Sequence, residues 1–246
     1  FPDEGPRLRD VAAGHYRPPG LPMRVVSGAV GRETVHYEAP PGERVEAEMA
    51  DFLAWFARSR GGMDGLLRAG LAHFRFVTIH PFVDGNGRLA RAIGEMALAQ
   101  DDGVAGRPYS LSAQIEKERA SYYRVLEAAQ KGTGDLTRWL EWFLGIVVRA
   151  IERAERNLDA VLAVARFWQR HAGKVLNERQ VKVLRRVLDA GPGGFEGGLT
   201  TRKVAHLVGV SPATAQRDLA DLVEQGIIVR NPGRGRGTSY RLVGDV

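Results

Sequence analysis

The spacing of apolar residues along most of the chain is that of amphipathic helices. Val45, Met49, Phe52 and Phe56 recur at intervals of three or four residues, which places them on one face of a helix. The same spacing returns in the segments 66–77, 89–96, 116–129, 136–149 and 151–171. A polar stretch that contains glycine interrupts the series at 80–87. The pattern therefore predicts a mainly helical domain that extends to residue 190.

Two short β-prone runs precede these helices. Residues 23–26 and 34–37 flank a turn-prone segment with Gly28 and Gly31, and Pro40-Pro41 ends the second run. This arrangement predicts a β-hairpin over residues 23–37. Residues 1–22 are rich in Pro, Gly and Arg, which indicates an irregular N-terminal arm.

A different pattern begins after the glycine-rich segment 191–198, which indicates a hinge. Ser211 and Pro212 are an N-cap and a first-turn residue that helices favour, so they predict a helix start after a tight turn. The pattern is a helix, a turn, a second helix and two β-prone runs, at 200–208, 209–211, 212–225, 227–229 and 240–243. The predicted fold is thus mainly α: a helical domain over 23–190, then a small α/β winged-helix domain over 199–246.

Composition excludes several classes of function. The 246 residues are 44% hydrophobic and 26% charged, as in globular proteins, and they include no cysteine. Thiolate catalysis and cysteine-based zinc sites are therefore excluded. No apolar run approaches the roughly 18 residues of a membrane span. Because no signal-peptide pattern is present either, we expect a cytoplasmic protein with no membrane partner.

The candidate chemistry lies in the segment His80-Pro-Phe-Val-Asp-Gly-Asn-Gly-Arg-Leu-Ala-Arg91, where a loop leads into a helix. The loop 85–87 can turn backbone N–H groups towards an anion, and the helix dipole adds positive potential there. Arg88 and Arg91 would be unfavourable at this end of a helix unless an anion bound there. Asp84 is suited to a Mg²⁺ ion that bridges phosphates, and His80 to deprotonating a hydroxyl group. The segment therefore indicates phosphoryl or nucleotidyl transfer.

The same twelve residues match the Fic signature H-x-F-x-[DE]-G-N-G-R-x-x-R at every specified position. The likeness extends to residues 23–41, to residues 118–127 and to the winged-helix tail. The chain therefore resembles the bacterial Fic proteins that carry a C-terminal winged helix.

The resemblance implies a helical core that transfers AMP from ATP to a Tyr, Thr or Ser hydroxyl of a target protein and releases pyrophosphate. His80 would be the catalytic base and Asp84 the Mg²⁺ ligand. The nucleotide phosphates would be bound by Gly85, Asn86, Gly87, Arg88 and Arg91, with the two arginines on the β and γ groups.

The resemblance also assigns roles to the hairpin and to a later helix. The hairpin would be a flap that aligns the target segment by β-augmentation, with the nucleotide pocket and target contacted by Val35, His36, Tyr37 and Glu38. Tyr122 and Tyr123 correspond to positions near the adenosine, although packing of a helix face in the core explains them equally well. Gln130 stands where some relatives carry an Asn near the base.

One element of the family pattern is missing from the sequence. Many relatives carry an inhibitory helix, [ST]-x-x-x-E-[GN], whose Glu pairs with the arginine that corresponds to Arg91, and no segment of this sequence matches it. In winged-helix relatives that helix precedes the flap. Because the sequence begins at Phe1 without an initiator Met, we expect a fragment that lacks its inhibitory helix and leaves Arg91 free for the γ-phosphate.

Positive charge is denser in the tail than in the rest of the chain, and the net charge is +6. Residues 199–246 contain seven Arg or Lys and four Asp or Glu, a balance of +3, and the preceding 198 residues also carry +3. This balance indicates a polyanionic partner. A winged helix would place residues 212–225 in the DNA major groove, with contacts expected from Thr214, Gln216, Arg217, Arg234 and Arg236. Asp218, Asp221 and Glu224 on the same helix oppose DNA binding, and protein contact or homodimerisation is the alternative.

Two hypotheses follow from the sequence. The chain is a protein adenylyltransferase that uses ATP and Mg²⁺, or it is a DNA-binding regulator whose Fic core senses a nucleotide without useful turnover. The intact base His80 favours the enzyme. Other Fic chemistries, such as UMP transfer, phosphocholine transfer and removal of AMP, stay open.

Overall fold

The computed structural model describes residues 14–20, 22–27, 32, 34–103, 106–191, 195, 197–232 and 238–244. Contacts within the chain group it into two compact units, Phe1–Ala154 and Glu155–Val246. The predicted fold class is confirmed: helices predominate, with two small antiparallel sheets. Among the described residues, no helix combines the length and the apolar character that crossing a bilayer requires.

The first unit begins with a two-stranded sheet. Strand β1 (Arg24–Ser27) pairs antiparallel with strand β2 (Thr34–Glu38), and the register shifts between Val25 and Val26. The predicted hairpin is thus present, with its second strand ending one residue later than expected. Residues 28–31 and 33, in the predicted turn, lie outside the described residues. A short 3-10 helix, Gly42–Arg44, follows the strands.

The helices of this unit are α1 (Val45–Arg58), α2 (Gly65–Ile79), α3 (Asn86–Asp102), α4 (Leu111–Lys117), α5 (Arg119–Gln130) and the start of α6 (Thr137–Arg170). Two predicted boundaries were wrong. The segment 116–129 contains the end of α4 and most of α5, because Glu118 leaves helical geometry at φ −107° and ψ 27°. Conversely, segments 136–149 and 151–171 form one helix, and no Pro interrupts it.

Helix α2 lies against α6 in the core of the first unit. Asp64 caps α2 by accepting hydrogen bonds from the N–H groups of Leu66 and Leu67, at 3.0 and 3.1 Å. At Gly70 a β-carbon would lie 3.1 Å from Phe143 Cδ1, so the glycine allows close packing. The Trp139 side chain is fully buried and its indole N–H donates to Gly70 O at 2.9 Å. This packing fixes the helix whose C-terminal end carries His80.

The second unit contains α7 (Glu178–Ala190), β3 (Leu199–Thr200), α8 (Thr201–Val208), α9 (Pro212–Glu224), β4 (Ile228–Arg230) and β5 (Ser239–Leu242). The strands form an antiparallel sheet in the order β3-β5-β4. Ser211 caps α9 by accepting from the N–H of Thr214 at 3.2 Å, with Pro212 in the first turn as predicted.

The division into units differs from the boundary that the sequence suggested at 191–198. It falls within α6, between Ala154 and Glu155. The physical reason lies in helix α7, whose buried residues Val183, Leu184 and Leu188 belong to the same apolar cluster as the core of the winged helix. Helix α7 is therefore part of the second unit.

Candidate active site

The backbone at His80 has an unusual conformation. Helix α2 ends there with φ 52° and ψ 57°, in the left-handed region, and His80 is the one non-glycine residue with positive φ in the described part of the chain. This conformation costs about 1–2 kcal/mol for a residue with a β-carbon. Such strain persists only where surrounding contacts hold it, and it concentrates at functional sites.

The tautomer of His80 follows from its hydrogen bond. Nδ1 lies 3.2 Å from the carbonyl oxygen of Val77, and because a carbonyl only accepts, Nδ1 carries the proton. Burial lowers the pKa of His80, and the positive charge of Arg17 lowers it further. The hydrogen bond to Val77 raises the pKa and offsets part of this shift. The imidazole is therefore neutral near pH 7. Its Nε2 holds a free lone pair and can accept a proton.

The loop after His80 is closed by the side chain of Asn86. Its Oδ1 accepts from Phe82 N–H at 3.0 Å, and its Nδ2 donates to Phe82 O at 2.7 Å. Gly85 precedes it with φ 85° as the N-cap of α3. Asn86 is expected to hold phosphates through its backbone N–H, and its buried side chain has a separate role in holding the loop. An anion can therefore contact only its backbone N–H, together with the other unpaired N–H groups at the start of α3.

Two arginine side chains lie beside this helix start. A β-carbon at Gly85 would lie 3.6 Å from Arg88 Nη2, and one at Gly87 would lie 3.9 Å from Arg91 Nη1. Both guanidinium groups therefore lie close to the glycine backbone at the start of α3. Because α3 begins at Asn86, Arg88 lies in its first turn and Arg91 in its second. Helix dipole, N–H groups and two cations together favour a polyanion.

The two arginines differ in their partners. Arg88 is exposed and forms an ion pair of 3.3 Å with Asp84, which contributes little to stability. Arg91 is half-buried, and it has no acidic partner among the residues that the structure describes. Arg91 is therefore available for an anionic ligand without breaking an existing pair.

Asp84 supplies the carboxylate of the site. It is exposed, its Oδ1 accepts the N–H of Gly85 at 2.6 Å, and its Oδ2 faces Arg88. The described residues contain no cluster of three or more His, Asp or Glu side chains that could hold a metal ion. One carboxylate fits Mg²⁺ that binds together with nucleotide phosphates, because this ion commonly uses one or two carboxylates plus phosphate oxygens.

Residues predicted to face the nucleotide or target also support the backbone before His80. The hydroxyl of Tyr37 donates to Thr78 O at 2.8 Å, and Gln130 Nε2 donates to Thr78 Oγ1 at 3.2 Å. Burial raises the pKa of Tyr37 to about 12, so it stays a phenol donor. His36 Nδ1 donates to Glu127 Oε2 at 2.7 Å and connects β2 with α5. Strand β2 and α5 therefore both meet the end of α2.

The outer part of the hairpin is open to solvent. Val35 is 44% exposed. Glu38 accepts from Arg24 Nε at 2.9 Å across the two strands, in a pair that is itself exposed. Both side chains can therefore be reached by a ligand or a target segment.

The two adjacent tyrosines occupy different environments. Tyr122 is 3% exposed, its hydroxyl shares a 3.0 Å hydrogen bond with His73 Nε2, and burial raises its pKa. Tyr122 therefore packs in the core, as the alternative to an adenosine contact predicted. Burial lowers the pKa of His73 to about 3, and the charge of Arg91 adds to this effect. Tyr123 is 44% exposed, so of the two it is the one that a ligand can reach.

Sequence reasoning missed Arg17, which it placed in an irregular arm. Its side chain is 2% exposed, and its Nε donates to His80 O at 2.9 Å. Its backbone N–H donates to Pro81 O at 2.8 Å, and its Nη2 donates to Pro40 O. A single arginine in a Pro- and Gly-rich stretch has no periodicity that would mark it as buried.

The predicted DNA-contact residues divide into two groups. Gln216 and Arg217 are exposed on α9, whereas Thr214 is half-buried beside Ser211 in the N-terminal cap. Arg234 and Arg236 lie outside the described residues.

Two acidic residues on α9 face inwards. Asp218 is buried and accepts from Arg179 Nε at 2.7 Å, and this hydrogen bond lowers its pKa. Asp221 accepts from Gln180 at 2.6 Å. The expectation that they oppose DNA on this helix was therefore wrong, because both side chains face α7. Glu224 is exposed at the end of the helix.

Comparison with known proteins agrees with these observations. The Fic/DOC family model matches residues 4–98, and the model of the DeoR-like helix-turn-helix domain matches residues 195–238. The chain is 32% identical over 129 residues to the protein adenylyltransferase fic-1 of Caenorhabditis briggsae and 30% identical to the protein adenylyltransferase Fic of Drosophila ananassae. Each alignment covers 51% of this chain, and the chain spans about a quarter of each relative, 24% and 25%.

A solved structure is also similar. It is a Fic family protein from Desulfovibrio desulfuricans G20. The alignment covers 95% of this chain and 63% of that protein's chain, with 26% identity and a TM-score of 0.47. The family assignment rests on the two sequence matches. The chain therefore carries a segment that matches the Fic/DOC family model, residues 4–98, and a later segment that matches a DeoR-like helix-turn-helix domain, residues 195–238.

Proposed function

We propose that this protein transfers AMP from ATP to a Tyr, Thr or Ser hydroxyl of a target protein. The observation that carries the proposal is the placement of His80: its Nδ1 hydrogen-bonds Val77 O, which leaves Nε2 to act as the base, and the loop that follows leads into the start of α3 with its two arginines. A site that only bound a nucleotide would have no use for a base in this place. The printed names of the animal relatives, protein adenylyltransferases, support the same reaction class.

The residues have distinct roles in this reaction. Nε2 of His80 accepts the proton of the target hydroxyl while the hydroxyl oxygen attacks the α-phosphorus of ATP. The bond from that phosphorus to the oxygen that bridges the α- and β-phosphates breaks, and pyrophosphate leaves. Arg88, Arg91 and the N–H groups at the start of α3 stabilise the negative charge that develops on it. Asp84 would hold Mg²⁺ with the bound nucleotide, and this ion supplies further neutralisation of phosphate charge.

Labelled nucleotides test this reaction directly. The chain is incubated with Mg²⁺ and ATP labelled at either the α- or the γ-phosphate, with itself and a protein extract as acceptors. We expect the α-label on protein and no γ-label, because AMP transfer retains only the α-phosphate. Labelled UTP in a parallel reaction tests UMP transfer, and loss of label from pre-modified protein tests removal of AMP. Absence of α-label on every acceptor would refute the proposal and favour the nucleotide-sensing regulator.

Substitution of Arg91 should weaken ATP binding more than substitution of Arg88. A hydrogen bond to a charged group contributes about 1.5–3 kcal/mol, so Arg91→Ala should raise the Kd for ATP by about tenfold to a hundredfold. Arg88→Ala should have a smaller effect, because Arg88 is exposed and already paired with Asp84. Calorimetric titration with ATP and with AMP measures both. Equal losses for ATP and AMP would contradict a role of Arg91 at the β- and γ-phosphates.

We also propose that the second unit binds DNA. The specific observation in favour is the arrangement of α9, which exposes Gln216 and Arg217 while Asp218 and Asp221 are hydrogen-bonded to residues of α7. The match to a DeoR-like helix-turn-helix domain supports this role. DNA binding is compatible with AMP transfer, since the two proposals use residues of different units.

Arg217→Ala should reduce the affinity for DNA. Loss of a base contact costs about 1–3 kcal/mol, and loss of a phosphate contact reduces the salt dependence by about one counterion. A gel-shift assay with a random-sequence duplex pool at several salt concentrations measures both quantities. Glu224→Ala, which removes an exposed acid from the same helix, is the control and should leave binding unchanged or stronger. Failure of the unaltered chain to bind at low salt would exclude this role.

A further inference from the structure

Arg17 contacts three backbone carbonyl groups near the proposed catalytic base. Its Nε donates to His80 O at 2.9 Å, its Nη2 donates to Pro40 O just after β2, and its backbone N–H donates to Pro81 O at 2.8 Å. The sequence separation between Arg17 and His80 is 63 residues. These contacts therefore connect the end of the hairpin with the turn that carries His80.

The position of Arg17 is costly for a cation. The side chain is 2% exposed, and it has no carboxylate at ion-pair distance within the described part of the chain. Burial lowers the pKa of Arg17, and its Nη1 is buried without a hydrogen-bond partner among the described atoms. Removal of a cation from water in this way is unfavourable. The hydrogen bonds to His80 O and Pro40 O offset part of that cost. Neither belongs to the backbone hydrogen bonding of a helix or a sheet.

The contacts also account for the conformation of His80. Its backbone is left-handed, and its carbonyl oxygen is held by Arg17 while its N–H bonds with Phe76 O at 3.1 Å. On the preceding turn, Tyr37 holds the carbonyl of Thr78. The strained turn is thus fixed from outside the helix by two residues, one before and one within the hairpin.

We propose that Arg17 is the positioning residue of this active site, which orients His80 for proton transfer and couples that orientation to the base of the hairpin at Pro40. The inference rests on the proposed function of His80 as a base. Arg17 does not touch a reacting atom, and it acts through the carbonyl oxygens of His80 and Pro40.

Arginine has a geometry that lysine does not reproduce. The guanidinium donates from Nε and Nη2 in two fixed directions, to His80 O and Pro40 O, whereas an ammonium group is a single point with a flexible stem. The positive charge of Arg17 also lowers the pKa of His80, as burial does. Lysine would keep the charge and lose the paired geometry, and glutamine would lose both.

The test compares Arg17→Lys and Arg17→Gln with Arg44→Gln, a control that removes an exposed arginine paired only with Glu48 on the surface. For both Arg17 variants we expect kcat for AMP transfer to fall at least about tenfold, with the KM for ATP changed by less than about threefold, because Arg17 acts on the base and not on the phosphates. In Arg17→Gln alone, the acidic limb of the kcat profile should also move to higher pH, since the His80 pKa rises when the nearby charge is lost.

A second readout does not depend on turnover. Histidine NMR titration follows the pKa of His80, assigned by the signal that is lost in a His80→Asn variant. We expect this pKa to rise in Arg17→Gln and to stay within about 0.3 units in Arg17→Lys and Arg44→Gln. Wild-type kcat together with an unchanged His80 titration in folded Arg17→Gln would overturn the inference. If the unaltered chain transfers no AMP, the proposed function fails, and the titration alone then decides on the coupling between Arg17 and His80.

Discussion

The variant His80→Asn should lose AMP transfer by about 10²–10⁴-fold, the range typical of a missing general base. Asparagine is chosen because it tolerates the left-handed backbone that His80 adopts, whereas alanine would add strain at φ 52°. The substitution removes Nε2 and leaves Asp84, Arg88 and Arg91 unchanged. The Kd for ATP should therefore stay within about threefold of the unaltered value.

The pH profile of the unaltered chain provides an independent check on the same residue. His80 acts as a base only when neutral, and because burial lowers its pKa, activity should fall only below about pH 6.5. The rate of α-label transfer from pH 4.5 to 8.5 measures this limb. His206→Asn replaces an exposed histidine in the second unit and is the matched control. Retention of transfer in His80→Asn, or an acidic limb well above pH 6.5, would exclude His80 as the base.

The sequence predicted the fold class and most helices, because apolar periodicity depends on local spacing. Its errors came where tertiary contacts decide. The break between α4 and α5 occurs at Glu118, whose carboxylate accepts from Arg149 Nε at 2.7 Å and Nη2 at 2.9 Å. No local signal marks that bend. Helix α6 continues past residue 150 because no Pro interrupts it, although residues 151–162 are mostly exposed.

In the site, too, residues within one sequence motif were predicted, whereas a residue that depends on long-range contacts was not. His80, Asp84, Arg88 and Arg91 lie within one contiguous motif, so their types and spacing were sufficient to find them. Arg17 was not predictable in this way, because its role depends on contacts across 63 residues. The loop-closing role of the Asn86 side chain was not predicted for a related reason: its partners are backbone atoms of Phe82, which the motif treats only as an aromatic position.

Trp139 is central to the core beneath the helix that carries His80. Its ring centroid lies 5.4 Å from that of His73 and 5.6 Å from that of Phe74, both on α2. Its indole N–H donates to Gly70 O on the same helix. Because the side chain is fully buried, truncation leaves a large cavity and removes the hydrogen bond to Gly70 O.

Trp139→Ala should therefore destabilise the first unit by about 3–5 kcal/mol. Trp139→Phe keeps most of the ring and loses the N–H donor, so its cost should be smaller, about 1–3 kcal/mol. Trp142→Ala is the matched comparison, since Trp142 is half-buried and its N–H contacts Ser121 Oγ at 3.1 Å. It should cost less than Trp139→Ala.

The measurement must resolve the two units, because a chain with two cores need not unfold in a single transition. Native-state hydrogen exchange meets this need: a loss of about 4 kcal/mol should lower the protection of α2 amides about a thousandfold. Amides of α9, whose buried residues belong to the other core, serve as the internal reference and should keep their protection. Unchanged protection of α2 in Trp139→Ala would show that Trp139 does not hold α2 in place. Loss confined to the first unit would show that Trp139 stabilises the core that holds α2, the helix that ends at His80.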